Sequence, residues 1–270
     1  MCYNTPHQKG GKFKMIFKSR EDVFEYLNDI SKVRALSLGF NGYSIGSQGQ
    51  TFYDKNLHKV VKIYLQFLEN EKEYYVPYEE EKVMQFKEAR NDTFYFPEEI
   101  IKVNDEVIGY ITRMAPGRNI DHVDPLNVNL DEITKASAIA LDDVKKMSKF
   151  NIQTYDVLYN IMYGSGKVSV IDTDDYAIST NSVEVTIEKN VNIFNQAIML
   201  FLIDGYFDEF VSSNKLLKEM CCSKDINLHD FLVSFKKHLS EQLDKEVVIL
   251  NDAKTLINKR RYEPNFTRCL

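Results

Sequence analysis

Apolar residues recur at helical spacing in several stretches of this chain and at strand-like alternation in shorter ones. The first dozen residues are polar and glycine-containing and read as a loose terminus; Val23, Leu27 and Ile30 then predict a short helix from Arg20 to Val33. From Ala35 to Met114 the pattern changes to short β-rich runs separated by turn residues, with one charged helix expected from Tyr78 to Ala89. Ala115-Pro116-Gly117 is strong punctuation, and helical periodicity dominates after it. Asn129, with Asp131 and Glu132 in the first turn, predicts the start of a helix whose apolar face is Ile133, Ala136, Leu141, Val144 and Met147. Further helices are expected from Val191 to Ile203 and from Leu228 to Leu243, the latter on the stripe Leu228, Phe231, Leu232, Phe235 and Leu239. The expected class is α+β: an extension with a short helix over 1–34, a small β-rich unit with one helix over 35–114, and a larger, mainly helical unit over 115–270.

Composition narrows the chemistry. With 44% apolar and 12% aromatic residues in 270, the chain can bury a large core. A net charge of -6 argues against nucleic acid as a partner, since sequence-independent affinity for it comes from clustered Lys and Arg. Cys2, Cys221, Cys222 and Cys269 form neither a C-x-x-C knuckle nor an evident disulfide framework, which suits a reduced, cytoplasmic setting. The longest apolar run, Ala197 to Ile203, is too short for a membrane span, and the N-terminus lacks the apolar core of a signal peptide. No H-E-x-x-H pair or G-x-S-x-G elbow supports zinc-protease or serine-hydrolase chemistry.

The most informative segment runs from Asp156 to Asp174. Ile161 to Tyr163 and Val168 to Ile171 are β-prone, and Gly164-Ser165-Gly166-Lys167 between them is turn-forming, so the segment reads as a hairpin. An antiparallel hairpin brings its outer ends together, which places Asn160 beside Asp172. An amide oxygen next to a carboxylate is a suitable hard-oxygen environment for Mg²⁺.

That segment resembles the catalytic loop and metal-binding motif of the protein-kinase superfamily, which includes the aminoglycoside phosphotransferases. Ile45-Gly46-Ser47-Gln48-Gly49-Gln50-Thr51-Phe52-Tyr53 resembles a degenerate glycine-rich loop, and Val60-Val61-Lys62-Ile63 resembles the strand that carries the family's phosphate-binding lysine. The charged helix offers Glu79, Glu80 and Glu81 as holders of that lysine. Glu80 is favoured because Val83 and Met84 follow it as apolar residues follow the family's glutamate, and Glu81 stays open. Tyr110 to Gly117 is similar to the interlobe hinge, with Thr112 at the gatekeeper position and the Arg113 and Ala115 backbones placed for adenine. Asn192 to Ala197 resembles the start of the large lobe's central helix, with Asn in place of the usual Asp.

The resemblance, which spans roughly Ala35 to Phe207, implies a bilobal fold and an ATP- and Mg²⁺-dependent phosphotransferase acting on protein Ser or Thr. In its terms Gly46 and Gly49 admit the nucleotide, Lys62 and Glu80 position its phosphates, Asn160 and Asp172 hold Mg²⁺, and Asp156 orients the attacking hydroxyl. Three departures qualify the pattern. Asp156 precedes Asn160 by four residues where the family has five, Asp172-Thr173-Asp174 replaces D-F-G, and the glycine loop is degenerate. Asp174 either joins the metal site or caps the following turn. A nucleotide-binding pseudokinase serving as a regulatory or docking module, and a small-molecule kinase, therefore stand as alternatives.

Overall fold

The computed structural model describes residues 14–31, 48–69, 78–223 and 225–257. Gly46, Cys2, Cys269, the loose terminus and the residues after Ser31 in the first expected helix lie outside them. The chain is mixed α and β, as expected, and divides into two compact units. The first comprises the described residues up to Arg90, then Tyr95–Met114 and Asp172–Asp175; the second takes Asn91–Phe94, Ala115–Ile171 and the described residues from Tyr176 onward.

The first unit contains β1 (Lys14–Phe17), α1 (Arg20–Ser31), β2 (Gly49–Asp54), β3 (Lys59–Tyr64), α2 (Leu65–Glu69), α3 (Glu80–Met84), β4 (Glu99–Val103) and β5 (Glu106–Arg113). Its strands form a five-stranded mixed sheet in the order β1-β4-β5-β3-β2. β1 runs parallel to β4, and every other neighbouring pair is antiparallel. Side chains alternate along β3. Val61 and Ile63 enter a core with Val23, Leu27 and Ile30 of α1 and with Phe52, Ile101, Ile108 and Ile111. Lys62 and Tyr64 are thereby turned to the other face, where Tyr64 packs with Tyr110, Ile100, Val107 and Val83.

Gly109 sets how closely β5 approaches β3. It lies where the β4–β5 register shifts, and a Cβ there would stand 2.0 Å from the Lys62 carbonyl oxygen. The helix expected from Tyr78 to Ala89 is reduced to α3 and a short 3₁₀ turn at Lys87–Ala89. Tyr78 instead makes a β-bridge to Val107, and Phe86 leaves helical geometry to bury its ring against Phe96. Tertiary burial overrides local helix propensity at both ends.

The second unit contains β6 (Arg118–Asn119), α4 (Leu130–Ser148), β7 (Ile152–Gln153), α5 (Val157–Asn160), β8 (Ile161–Gly164), β9 (Lys167–Val170), β10 (Ala177–Ile178), α6 (Val183–Ile203), α7 (Asp208–Ser213), α8 (Lys215–Cys221) and α9 (Leu228–Leu243). Asn129 caps α4 by accepting the Asp131 and Glu132 backbone N–H groups, and Asn227 caps α9 on Asp230. The β8–β9 hairpin turns through Ser165 and Gly166, both at positive φ, the geometry that a two-residue turn between twisted strands requires.

The central helix α6 begins at Val183, eight residues before the expected start. Its first two turns bury Thr186 and Asn190 rather than aliphatic side chains, so the apolar period is hidden there. Asn190 accounts for the polarity. Its amide donates to Ser148 Oγ at 2.9 Å and to the Ile152 carbonyl at 2.7 Å, and its oxygen accepts from the Thr154 backbone and hydroxyl at 3.1 and 3.0 Å. One buried amide thus ties α6 to α4 and to the β7 segment that leads to Asp156. Among the described residues no helix is long and apolar enough to cross a membrane. Replacing Asn190 by Ala strands several buried polar groups and is expected to cost about 3 kcal/mol in chemical denaturation; a loss no larger than that of an exposed Asn→Ala change would contradict this linking role.

Candidate functional site

Strand alternation and register assemble the site in the first unit. Lys62 on β3 stands opposite Tyr110 on β5, and Tyr64 follows two residues along the same face. Gly49 on β2 lies against the lysine stem: a Cβ at this position would meet Lys62 Cγ and Cε at 3.2 Å and the Ile63 carbonyl oxygen at 2.7 Å. Lys62 is buried, which an ammonium tolerates only with compensating charge.

Two carboxylates supply it. Asp172, in a left-handed backbone conformation, ion-pairs with the Lys62 ammonium through one oxygen. Asp174 accepts from the same ammonium at 3.1 and 3.3 Å through its two oxygens, from the Tyr110 hydroxyl at 3.0 Å and from the Tyr64 hydroxyl at 3.4 Å. Gln48 adds its side-chain oxygen at 3.4 Å from the ammonium and donates to Asp175. The Asp174 side chain is 3% exposed and that of Asp172 is 40% exposed, so only the second faces solvent.

Burial works against the Lys62 ammonium, but the charges of Asp174 and Asp172 outweigh it and its pKa is raised. Burial, joined by the negative charge of Asp174, raises the Asp172 carboxyl against the opposing pull of Lys62. Burial followed by the field of Asp174 raises Tyr64 and Tyr110, which stay neutral donors. Counting one ammonium and two carboxylates, the ionised cluster carries a net charge of -1.

The expected partner of Lys62 is elsewhere. Glu80 pairs with Lys14 on β1 at 2.8 Å and with Lys102 on β4 at 2.9 Å. Its α3 segment serves the β1–β4 side of the sheet, whereas β3 lies two strands from β4, roughly 10 Å away at ordinary strand spacing. Glu81 is exposed, and Glu79 pairs with Lys82 at 3.2 Å. The assignment of Glu80 as the lysine holder is therefore corrected: Asp172 and Asp174 take that place.

Thr112 is buried, and its hydroxyl donates to the Tyr95 and Phe96 carbonyls at 3.3 and 2.9 Å. Arg113 closes β5 opposite Lys59, with its guanidinium 4.6 Å over the Tyr95 ring. Ala115 is a buried residue of the second unit. Asp156 and Asn160 also belong to that unit. Asp156 is exposed with φ at 49°, and its backbone oxygen accepts from the Asn160 side-chain amide at 3.1 Å. Asn160 ends α5, and its carbonyl accepts the Ile171 backbone N–H at 3.0 Å. The ends of the hairpin therefore meet, and Asp172 is the next residue along.

Sequence reasoning missed Tyr64 and Tyr110 and left Asp174 between two other roles. Tyr64 was detectable, since it sits two residues from Lys62 on a strand; Tyr110 needed the β3–β5 register. Among the described residues no group of three or more His, Cys, Asp or Glu side chains gathers as a metal cage. The carboxylate open to solvent beside Lys62 is that of Asp172, and one protein carboxylate is compatible with Mg²⁺, which takes one or two from protein and fills its octahedron with water and phosphate oxygens. No protein-family model and no curated protein matches the chain.

The lysine pairs hold the Glu80 carboxyl down at about 2, chiefly through the hydrogen bonds from Lys14 and Lys102. A folded pKa below the unfolded value contributes stability above the unfolded pKa and loses it as pH falls. The stability gap between the protein and its Glu80→Gln variant is accordingly expected to be about 1 kcal/mol at pH 7, to narrow below the ordinary glutamate pKa and to close near pH 2. Melting curves across that range provide the measurement; a gap that widens with acid contradicts the pairing.

Proposed function

We propose that the chain is a protein-kinase-like phosphotransferase, with the bilobal fold of that superfamily, that binds ATP with Mg²⁺ and transfers phosphate to a Ser or Thr hydroxyl. The observation that carries this reading is the buried Lys62 paired with Asp172: residues far apart in the chain, singled out as phosphate-binding lysine and metal-binding aspartate, make a direct ion pair.

In this mechanism Lys62 gives a fixed positive charge to the α- and β-phosphates, and Gly49 leaves room beside it where a side chain would press on the lysine stem. Asp172, the more open carboxylate, would hold Mg²⁺ together with Asn160, and the ion would supply charge neutralisation on the phosphates when bound. Asp156 accepts the proton of the attacking hydroxyl, and its exposure leaves it open to an incoming acceptor. The resemblance assigns the Arg113 and Ala115 backbones to the adenine.

A second reading, nucleotide binding without transfer, is favoured by one observation: two carboxylates already outweigh the charge of Lys62, so phosphate must compete for it. Incubation with ATP and Mg²⁺ followed by mass spectrometry separates the readings. Phosphate on the protein or on an added Ser/Thr peptide is expected, with none in a folded Asp172→Asn variant. Undiminished transfer by that variant removes the proposed metal ligand. An AMP adduct redirects the reading to nucleotidyl transfer, and a nucleotide-induced rise in melting temperature without any label selects the pseudokinase.

A further inference from the structure

If Lys62 is the phosphate-binding cation, something other than Glu80 must hold it. We infer that Asp174, braced by the hydroxyls of Tyr110 and Tyr64, is the positioning residue for Lys62, while Asp172 is the partner that exchanges when ligand binds. This inference rests on the phosphotransferase reading for its purpose, though not for its geometry.

The two carboxylates are built differently. Asp174 Oδ1 accepts from Lys62 at 3.1 Å and from Tyr110 at 3.0 Å; its Oδ2 accepts from Lys62 at 3.3 Å and from Tyr64 at 3.4 Å. Each oxygen takes one bond from the ammonium and one from a phenol, so the carboxylate is fixed in position and rotation. The phenols are fixed in turn. Tyr110 is buried on β5, and the Tyr64 ring stacks on Tyr78 with centroids 3.6 Å apart and planes within 8°. The ammonium also lies 5.5 Å from the Tyr110 ring centroid and 5.9 Å from that of Tyr64, so both rings wall its position as well as bracing its partner.

Asp172, by contrast, engages Lys62 through one oxygen and keeps an exposed side. A phosphate or metal that draws Asp172 away leaves the lysine still tied to Asp174. Without Asp174 the freed ammonium, on a flexible four-carbon stem, would keep only the 3.4 Å contact to Gln48 and the two ring walls to direct it. The lysine holder and the proposed metal ligand thus belong to one tripeptide, Asp172-Thr173-Asp174. Glu80 of helix α3 is engaged instead with Lys14 and Lys102.

The test uses the whole chain in two arms. In the first, without nucleotide, melting temperatures are compared for Lys62→Met, Asp174→Asn and the double variant, and in parallel for Lys62→Met with Glu80→Gln. Asp174→Asn is expected to lower the melting temperature by roughly 5–10 °C alone and by less than half of that beside Lys62→Met. The Glu80→Gln shift should be the same in both backgrounds. Additive shifts at Asp174, or coupling of Lys62 to Glu80, overturn the inference.

In the second arm, ADP and adenosine affinities are measured by calorimetry in EDTA. Tyr110→Phe, which keeps every charge and removes one brace of Asp174, should weaken ADP about threefold and leave adenosine unchanged. A merely structural role would weaken both ligands alike, and that result, or an unaltered ADP affinity, also overturns it. Should Asp174→Asn fail to fold, recovery of folding in the double variant supports the pairing and its absence contradicts it, with Tyr110→Phe deciding the phosphate effect. Absence of ADP and adenosine binding by the unaltered protein would remove the phosphotransferase reading, while the stability arm still decides whether Asp174 holds Lys62.

Discussion

A buried ammonium cannot be left without an anion, and the first unit is organised around satisfying one. β3 has no freedom to turn Lys62 outward, because alternation commits Val61 and Ile63 to the core beneath α1 and so commits Lys62 to the face that Tyr64 and Tyr110 occupy. An uncompensated charge there would cost several kcal/mol. The carboxylates come from a segment more than a hundred residues further on. This requirement explains why Asp172–Asp175 belongs to the first unit although the residues on either side of it belong to the second. Asp172 and Asp174 take the lysine, and Asp175 takes Gln48.

The same requirement divides labour between the two acids. A carboxylate held by three donor groups with almost no exposed side chain is part of the fold; one that meets the ammonium through a single oxygen and keeps an open side can change partners. In the proposed phosphotransferase, a site that admits a negatively charged phosphate and a divalent cation would use both kinds. The fixed acid would keep the lysine in place, and the open acid would give up its hold as the incoming charges arrive. The net negative charge of the cluster favours a cation accompanying any phosphate that enters.

In the second unit, order is imposed by a buried amide. Asn190 brings α6, α4 and the β7 segment to one point, and the chain leaves that point towards Asp156 through Thr154. The left-handed turn at Asp156 and the Asn160 amide bonded to its carbonyl then define the loop before the hairpin. Asp156 is exposed, and the backbone conformation around it sets its placement.

Much of this was legible in the residues because it depends on local rules. The hairpin from Ile161 to Val170 follows from β-prone runs around a glycine turn, the capped start at Asn129 from the chemistry of helix termini, and α9 from an uninterrupted apolar stripe. Asp172 stood out as an acid ending a hairpin, whereas Lys62 was singled out by the resemblance of Val60-Val61-Lys62-Ile63 to the family's lysine strand. What the residues could not disclose was partnership across distance. The sequence favoured Glu80 among the three glutamates near Val83, and only the strand order put α3 beside Lys14 and Lys102 and away from β3. The start of α6 was hidden because its buried face there is polar, and the polar groups have meaning only once Ser148, Ile152 and Thr154 are in reach. Local periodicity and capping are written in neighbouring residues; strand order, register and the pairing of buried charges arise only when distant segments share one interior, and those decided which acid holds the lysine.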